Sequence, residues 1–293
     1  MKLQEIFKET SVDEGVNDPH IFKAVIMAGG PGSGKTYVAK KMLDGTGLRS
    51  VNSDDAFEFL MNKENLRKDM PPEEKEKRDQ VRDRAKEITG KQEHLYMQGR
   101  LGLIIDGTGK NLDKLAKINE RLKAAGYETK MLFVNSDLET SLQRNQDRFD
   151  KEGGRRVDPE IAKDTWEQVQ KNMMMYQQIF GAKDFYIIDN SNGQEDDTKK
   201  DNFLFAWKEI RSWLEKETSN SIAQKWKHDN SVKRSPQQTG RISTRDERKK
   251  DNPSASPLSS PSSWGTSSQQ AYKMKQASDL TQRAVKAKRQ TKA

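Results

Sequence analysis

The 293-residue chain carries 53 Lys+Arg against 45 Asp+Glu, is 32% hydrophobic and 33% charged, and has no cysteine. The missing thiols exclude disulfides and thiolate–metal sites, and no apolar run approaches the ~20 residues of a membrane span, so no membrane role is expected. Little apolar and much charged sequence predicts a folded part diluted by solvated sequence, in a cytoplasmic protein whose residues 1–8 lack a signal-peptide core.

Residues 1–20 read as an N-terminal extension. The first regular element is the apolar strand Ala24-Val25-Ile26-Met27, which runs into Gly29-Gly30-Pro31-Gly32-Ser33-Gly34-Lys35-Thr36. A helix follows, with Val38, Ala39, Met42 and Leu43 on its apolar face. Strand, glycine loop and helix in that order make a phosphate-binding loop. The glycines let backbone N–H groups wrap an anion, and the helix N-terminus adds a favourable dipole. Lys35 is expected to reach the β- and γ-phosphates of ATP, and Thr36 to ligate Mg²⁺.

A brief second strand, Ser50-Val51-Asn52, leads into Ser53-Asp54-Asp55. A charged stretch follows, roughly residues 56–100, broken by Met70-Pro71-Pro72-Glu73 into two helical pieces. It reads either as a lid or substrate wall, or as a solvated helical hairpin. The third strand, Leu103-Ile104-Ile105, ends in Asp106-Gly107-Thr108-Gly109. Leu112, Leu115, Ile118 and Leu122 mark a helix that Gly126 stops. The fourth strand is Met131-Leu132-Phe133-Val134, and Ser136-Asp137-Leu138-Glu139 is expected to cap the next helix as a capping box. That helix carries Arg144 and Arg148 one turn apart, and Arg155-Arg156 follow the Gly153-Gly154 break.

Asp158-Pro159 opens a long helix containing Ile161, Trp166, Val169, Met173 and Tyr176. The fifth strand is Phe185-Tyr186-Ile187-Ile188, and residues 201–217 form a last packed helix. Alternating strands and helices imply an α/β fold: a five-stranded parallel sheet flanked by helices, over residues 21–218. From residue 219 onward 16 Lys+Arg stand against 5 Asp+Glu, leaving the first 218 residues mildly acidic with 37 basic and 40 acidic side chains. Ser, Pro and Gln dominate residues 252–270. Residues 219–293 are therefore expected to be a largely disordered basic tail that attracts nucleic acid, with Trp226 and Trp264 available to stack on bases. His20, His94 and His228 have no metal spacing, and Met173-Met174-Met175 reads as core or interface.

In a parallel sheet every strand delivers its C-terminal end to one edge, where ligands bind. That gathers the phosphate loop, Asp54-Asp55 and Asp106. A carboxylate after the second strand is suited to accept a hydroxyl proton, and Asp106 is placed to organise Mg²⁺ or the acceptor. Helix capping is the ordinary alternative for both. Arginine forks suit the charge that phosphoryl transfer spreads over oxygens, whereas a solvated basic face is the bland account of Arg144, Arg148, Arg155 and Arg156.

These residues, Gly29 to Thr36, Asn52-Ser53-Asp54-Asp55, Ile105-Asp106-Gly107-Thr108 and Arg144-x3-Arg148, resemble in order and spacing the polynucleotide-kinase and zeta-toxin group of P-loop kinases, over roughly residues 23–192. The resemblance implies an ATP-dependent kinase with Asp54 as general base, Lys35 on the phosphates and Arg148 as a transition-state arginine. Arg155 and Arg156 are then assigned to the nucleotide, and Asp55, Asp106 and Arg144 to a hydroxyl-bearing acceptor: a nucleotide, a sugar nucleotide or a nucleic-acid 5′ end. Polynucleotide kinases place an arginine three residues after the base, where this chain has Phe57. That departure tells against a polynucleotide acceptor. The short opening and polar tail also resemble kinase-like proteins of large tailed phages. Two other readings are a non-catalytic ATP-binding module tethered to nucleic acid or a virion by its tail, and an NTP-hydrolysing motor.

Overall fold

Five strands alternate with helices in the computed structural model, which describes residues 15–151, 153–192 and 197–232. The central strand β1 (Lys23–Ala28) is buried at all six positions, so no alternation of apolar and polar residues survives in it. Strands β2 (Arg49–Val51), β3 (Leu103–Asp106), β4 (Glu128–Asn135) and β5 (Phe185–Asp189) complete one sheet in the order β2-β3-β1-β4-β5. Every pairing is parallel. Parallel strands need crossover helices, and those helices cover both faces of the sheet.

On one face Val25, Met27, Leu132, Val134, Tyr186 and Ile188 pack against α1 (Lys35–Leu43) and α7 (Asp197–Glu215). On the other, Ala24, Ile26, Leu103, Ile105 and Phe133 meet α4 (Leu112–Ala124) and α6 (Pro159–Phe180). Each fully buried aliphatic side chain contributes ~1.5–3 kcal/mol relative to exposure, so the alternating faces of β1 anchor both layers at once.

The charged stretch after β2 is a helical hairpin with a core of its own. Helix α2 (Ser53–Lys63) and α3 (Lys75–Gln98), joined through a 3₁₀ turn at Pro72–Glu74, bury Ala56, Phe57, Leu60, Met61, Leu66, Val81 and Ala85 between them. The remaining helix before the long α6 is α5 (Leu138–Asp150). Its cap differs from the expected box: Asp137, not Ser136, accepts from Thr140 N at 2.7 Å. The Ser136 hydroxyl is buried instead against the Ser141 hydroxyl at 2.5 Å. Burial of one candidate cap left the next residue to satisfy the helix end.

The stretch expected as tail begins with structure. Residues Ser221–Val232 form α8, where Ala223 is fully buried and the Trp226 ring lies 5.4 Å from Phe22, edge to face. Trp226 therefore belongs to the core rather than to a base-stacking surface. The chain divides into two units, Met1–His228 and Asp229–Ala293, and of the second only residues 229–232 are described. Trp264, residues 252–270 and the basic C-terminus lie outside the described residues, as do residues 1–14 of the expected extension. Among the described residues no helix is long and apolar enough to cross a membrane.

Candidate active site

The chain leaves β1 for β2 and β3 on one side and for β4 and β5 on the other, which opens a crevice at the C-terminal end of β1. The glycine loop fills it. Gly32 and Gly34 have φ of 79° and 87°, and added Cβ atoms there would overlap the Ser141 carbonyl and the Asn190 amide. Only glycine lets the loop curl this tightly against its neighbours. Gly34 is also the N-terminal cap of α1 and supplies no side chain, so the first-turn N–H groups stay directed into the loop. Lys35 Nζ donates to the carbonyls of Gly29 at 2.9 Å and Gly30 at 3.3 Å, holding its charge inside the cradle. The backbone N–H groups, the cation and the dipole together fit a polyphosphate.

Neighbouring elements brace this loop. Gly29 N donates to Thr108 O at 3.1 Å, and Asn190 Nδ2, just after β5, donates to Ser33 O at 2.8 Å. Trp166 on α6 packs against Gly30 and donates through Nε1 to Ser136 O at 2.7 Å. Asn172 and Tyr176, on the same helix, bind the Gly109 carbonyl at 3.2 and 2.8 Å. Trp166 and Tyr176 were expected in this helix, whereas Asn172 and Asn190 were not singled out in the sequence. The rule that strand ends meet at one edge was signal enough for Asn190, since it follows the fifth strand directly.

The carboxylates divide by direction. Asn52 caps α2 by accepting from Asp54 N at 2.9 Å, and its amide donates to Asp55 Oδ1 at 3.2 Å and Asp106 Oδ2 at 3.3 Å. Asp55 and Asp106 thus face each other across one amide, lining a cavity with Thr36. Burial, then the charges of Asp106, Asp54 and Glu58, push Asp55 up to about 6. Burial raises Asp106 as well, against the lowering effect of Lys35, and its Oδ1 is buried without a hydrogen-bond partner. That orphaned oxygen, on a residue lining the same cavity as Thr36, fits a divalent cation, which takes one or two carboxylates plus phosphate oxygens.

Asp54 faces elsewhere. It is half exposed, and its Oδ1 meets Arg155 Nη2 at 3.1 Å and Arg82 Nη2 at 3.5 Å. Both guanidiniums also lie over the ring of Phe57, at 5.2 Å for Arg155 and 4.7 Å for Arg82. Arg155 is buried, which lowers its pKa; Asp54 counters this, while Arg82 and Arg148 add repulsion.

The arginines expected to act on phosphate take separate stations. Arg144 lies beside Gly34, its Nη1 buried and unpartnered, while Nη2 donates to Asn192 Oδ1 at 2.8 Å. Arg148 donates through Nη2 to the Arg155 carbonyl at 2.7 Å, so it holds the segment between α5 and α6. Arg156 N donates to Lys68 O at 3.0 Å, and Lys68 Nζ returns a bond to Gly153 O at 2.7 Å. Asn145 ties Val157 from the other side, accepting at 3.2 Å and donating at 2.6 Å. The segment is laced to α5 and to the helical hairpin together. Arg82 and Lys68 were not singled out in the sequence, because each is one cation within a densely charged stretch.

Solved structures with related backbones include the PezAT chromosomal toxin–antitoxin system of Streptococcus pneumoniae, at 16% identity over 65% of this chain and 86% of that one, with a TM-score of 0.45. The AvrRxo1-ORF1:AvrRxo1-ORF2 complex with ATP matches at 14% identity, covering 69% and 78%, with a TM-score of 0.47. Shikimate kinase from Bacteroides thetaiotaomicron matches at 13%, covering 64% and 98%, with a TM-score of 0.40. No curated protein matches the sequence. The zeta toxin model matches residues 10–199, a span that holds the phosphate loop, both acidic strand ends and all four arginines. The chain belongs to the zeta toxin family and is a P-loop kinase, an ATP-dependent phosphotransferase.

Proposed function

We propose that the protein transfers the γ-phosphoryl group of ATP to a hydroxyl of a nucleotide or sugar nucleotide, with Asp54 accepting the hydroxyl proton. The observation that carries this reading is the placement of Asp54. It stands in the first turn of α2, after the C-terminal end of β2, half open to solvent, with Arg155 and Arg82 on one oxygen. A carboxylate so placed is accessible to an acceptor yet fixed in direction, as a positioned base must be. Lys35 and the loop N–H groups hold the β- and γ-phosphates, while Thr36 and Asp106 would hold a Mg²⁺ ion, which would supply charge neutralisation. Arg144, whose Nη1 is buried without a partner beside Gly34, supplies positive charge at the nucleotide. Arg148 acts through the backbone of Arg155 rather than on phosphate. Phe57, enclosed by two guanidiniums, tells against a 5′-hydroxyl polynucleotide as acceptor.

The test supplies γ-labelled ATP with uridine, UDP-glucose or a 5′-hydroxyl oligothymidylate, for the wild type, Asp54→Asn and Asp55→Asn. Label should move to a soluble nucleotide, and Asp54→Asn should slow transfer ~10²- to 10⁴-fold with ATP affinity unchanged. A larger defect in Asp55→Asn than in Asp54→Asn would move the base to Asp55. Phosphate release that ignores every acceptor and both substitutions would overturn the reading.

A further inference from the structure

The helical hairpin after β2 has its own core, yet one of its side chains leaves that core for the site. Arg82 sits on α3, one residue after the buried Val81. Its guanidinium lies over the Phe57 ring and reaches Asp54 Oδ1. Phe57 is almost fully buried and lies one turn after Asp54 on α2, so the ring and the carboxylate share a helix face. Arg155 meets the same ring and the same oxygen from the segment between α5 and α6. Two cations from distant parts of the chain therefore converge on one carboxylate oxygen, with one aromatic ring carrying both.

Like charges this close repel, and the repulsion is felt at Arg155. The Phe57 face and the Asp54 charge offset it. With Oδ1 taken by both arginines, Oδ2 is the oxygen available to an incoming hydroxyl. A carboxylate held by a single arginine could still swing about its own torsion, whereas two donors from different directions leave it one orientation. Fixed orientation matters because a misplacement of ~1 Å at a reacting group costs as much as ~10²-fold in rate.

We propose that Arg82 is a positioning residue for Asp54, stacked on Phe57, and that the helical hairpin thereby belongs to the catalytic machinery. This rests on Asp54 being the base. Arg82 need not touch ATP or the acceptor; it acts through the carboxylate. The surface alternative, an exposed arginine making a weak ion pair, predicts no more than a small change on removal.

The experiment measures transfer of label from γ-labelled ATP to water and to an equimolar mixture of uridine, UDP-glucose and 5′-hydroxyl oligothymidylate. The proteins are the wild type, Arg82→Met, Arg82→Lys, Asp54→Asn and the Asp54→Asn/Arg82→Met double variant, each with its thermal midpoint recorded. Arg82→Met should lower kcat by about tenfold or more while KM for ATP stays within about a factor of two, a split expected of a group acting on the base alone. Arg82→Lys, which keeps the charge, should recover part of the loss. In the Asp54→Asn background Arg82→Met should add nothing, since residues acting as one unit are not additive. Wild-type kcat in Arg82→Met overturns the proposal. So does the same fold-loss in both backgrounds, which would make Arg82 independent of Asp54. Wild-type rates in Asp54→Asn would instead remove the base itself, a failure visible separately from that of Arg82.

Discussion

At the C-terminal edge of the sheet, Lys35 is held by carbonyls of the glycine loop and Asp55 is buried near Asp106. The Lys35 ammonium donates to two loop carbonyls, so its charge is already inside the loop proposed to hold the β- and γ-phosphates. Lys35→Ala should lower kcat/KM at sub-saturating ATP by ~10²-fold or more, in line with removing a preorganised electrostatic donor. The fold should persist, because the loop remains braced by Thr108, Asn190 and Trp166; circular dichroism and a thermal melt check this. Unimpaired turnover would count against the loop as the ATP site. Asp55 is held near 6, above the 3.8 of a free aspartate, by burial and by the Asp106 charge. Between about pH 4 and 6 the folded chain therefore binds a proton that the unfolded chain has lost, and stability falls as pH rises through that window. Asp55→Asn should raise stability at pH 7 by about 1 kcal/mol, less than the ~1.4 kcal/mol per unit of an unscreened shift, and the gain should vanish below about pH 4. Urea titrations in chelator at both pH values read the difference. A loss of stability at pH 7 would mean the Asn52 bridge outweighs the repulsion.

Among the elements, α8 and the α2–α3 hairpin changed most between expectation and structure. Helix α8 follows a junction built around Glu128, whose carboxylate accepts from Trp213 Nε1 at 2.8 Å, Thr218 Oγ1 at 3.1 Å and the Ser219 hydroxyl at 2.9 Å. Those bonds lower the Glu128 pKa, against the opposing effect of burial, which is the larger single cause. The buried Lys23 of β1 caps the end of α7 by donating to the carbonyls of Trp213, Leu214 and Lys216. A chain turned at this point carries Ala223 and Trp226 back onto the sheet. Trp226→Ala should cost ~2–3 kcal/mol, somewhat below the range of fully buried aromatic truncations because the ring is only partly enclosed. A urea midpoint equal to that of the wild type would show that α8 adds nothing to the core. The α2–α3 hairpin, open in the sequence between a lid or substrate wall and a solvated hairpin, has its own core and reaches Asp54 through Arg82 and Gly153 through Lys68.

Charge is the property of the whole molecule that composition alone misstates. The net of +8 conceals a separation, since residues 233–293 hold 14 Lys+Arg against 4 Asp+Glu while the rest is mildly acidic. An acidic body would repel a polyanion at long range, whereas a basic segment would attract it and release counterions. Ending the chain at Val232, so that α8 stays whole, should leave the thermal midpoint and transfer to a small acceptor nearly unchanged. Binding to a single-stranded oligonucleotide should weaken, and the salt dependence should flatten by ~0.7 in log–log slope for each phosphate no longer neutralised. Ending it at residue 218 should lower the midpoint as well, because the packing of α8 on the sheet goes with it. The same salt slope with and without residues 233–293 would assign the basic excess to another partner.

Much of this protein follows from local rules that the sequence carries on its face. The strand–glycine–helix order around Lys35, the five apolar runs and the acidic residues at strand ends determined the parallel sheet and the edge where the site lies. Each depends on a local period or on backbone freedom at glycine. Tertiary structure alone decided which way each side chain turns at that edge. Asp54 and Asp55 are neighbours in sequence, yet successive helix positions point about 100° apart, sending one to Arg155 and Arg82 and the other to Asp106. Arg82 and Phe57 are separated by a hairpin whose closure no local pattern encodes. Trp226 looked like part of a polar tail until the turn at Glu128 brought it to Phe22. Contacts between distant segments depend on packing the whole chain around one sheet, and no window of sequence contains that sum.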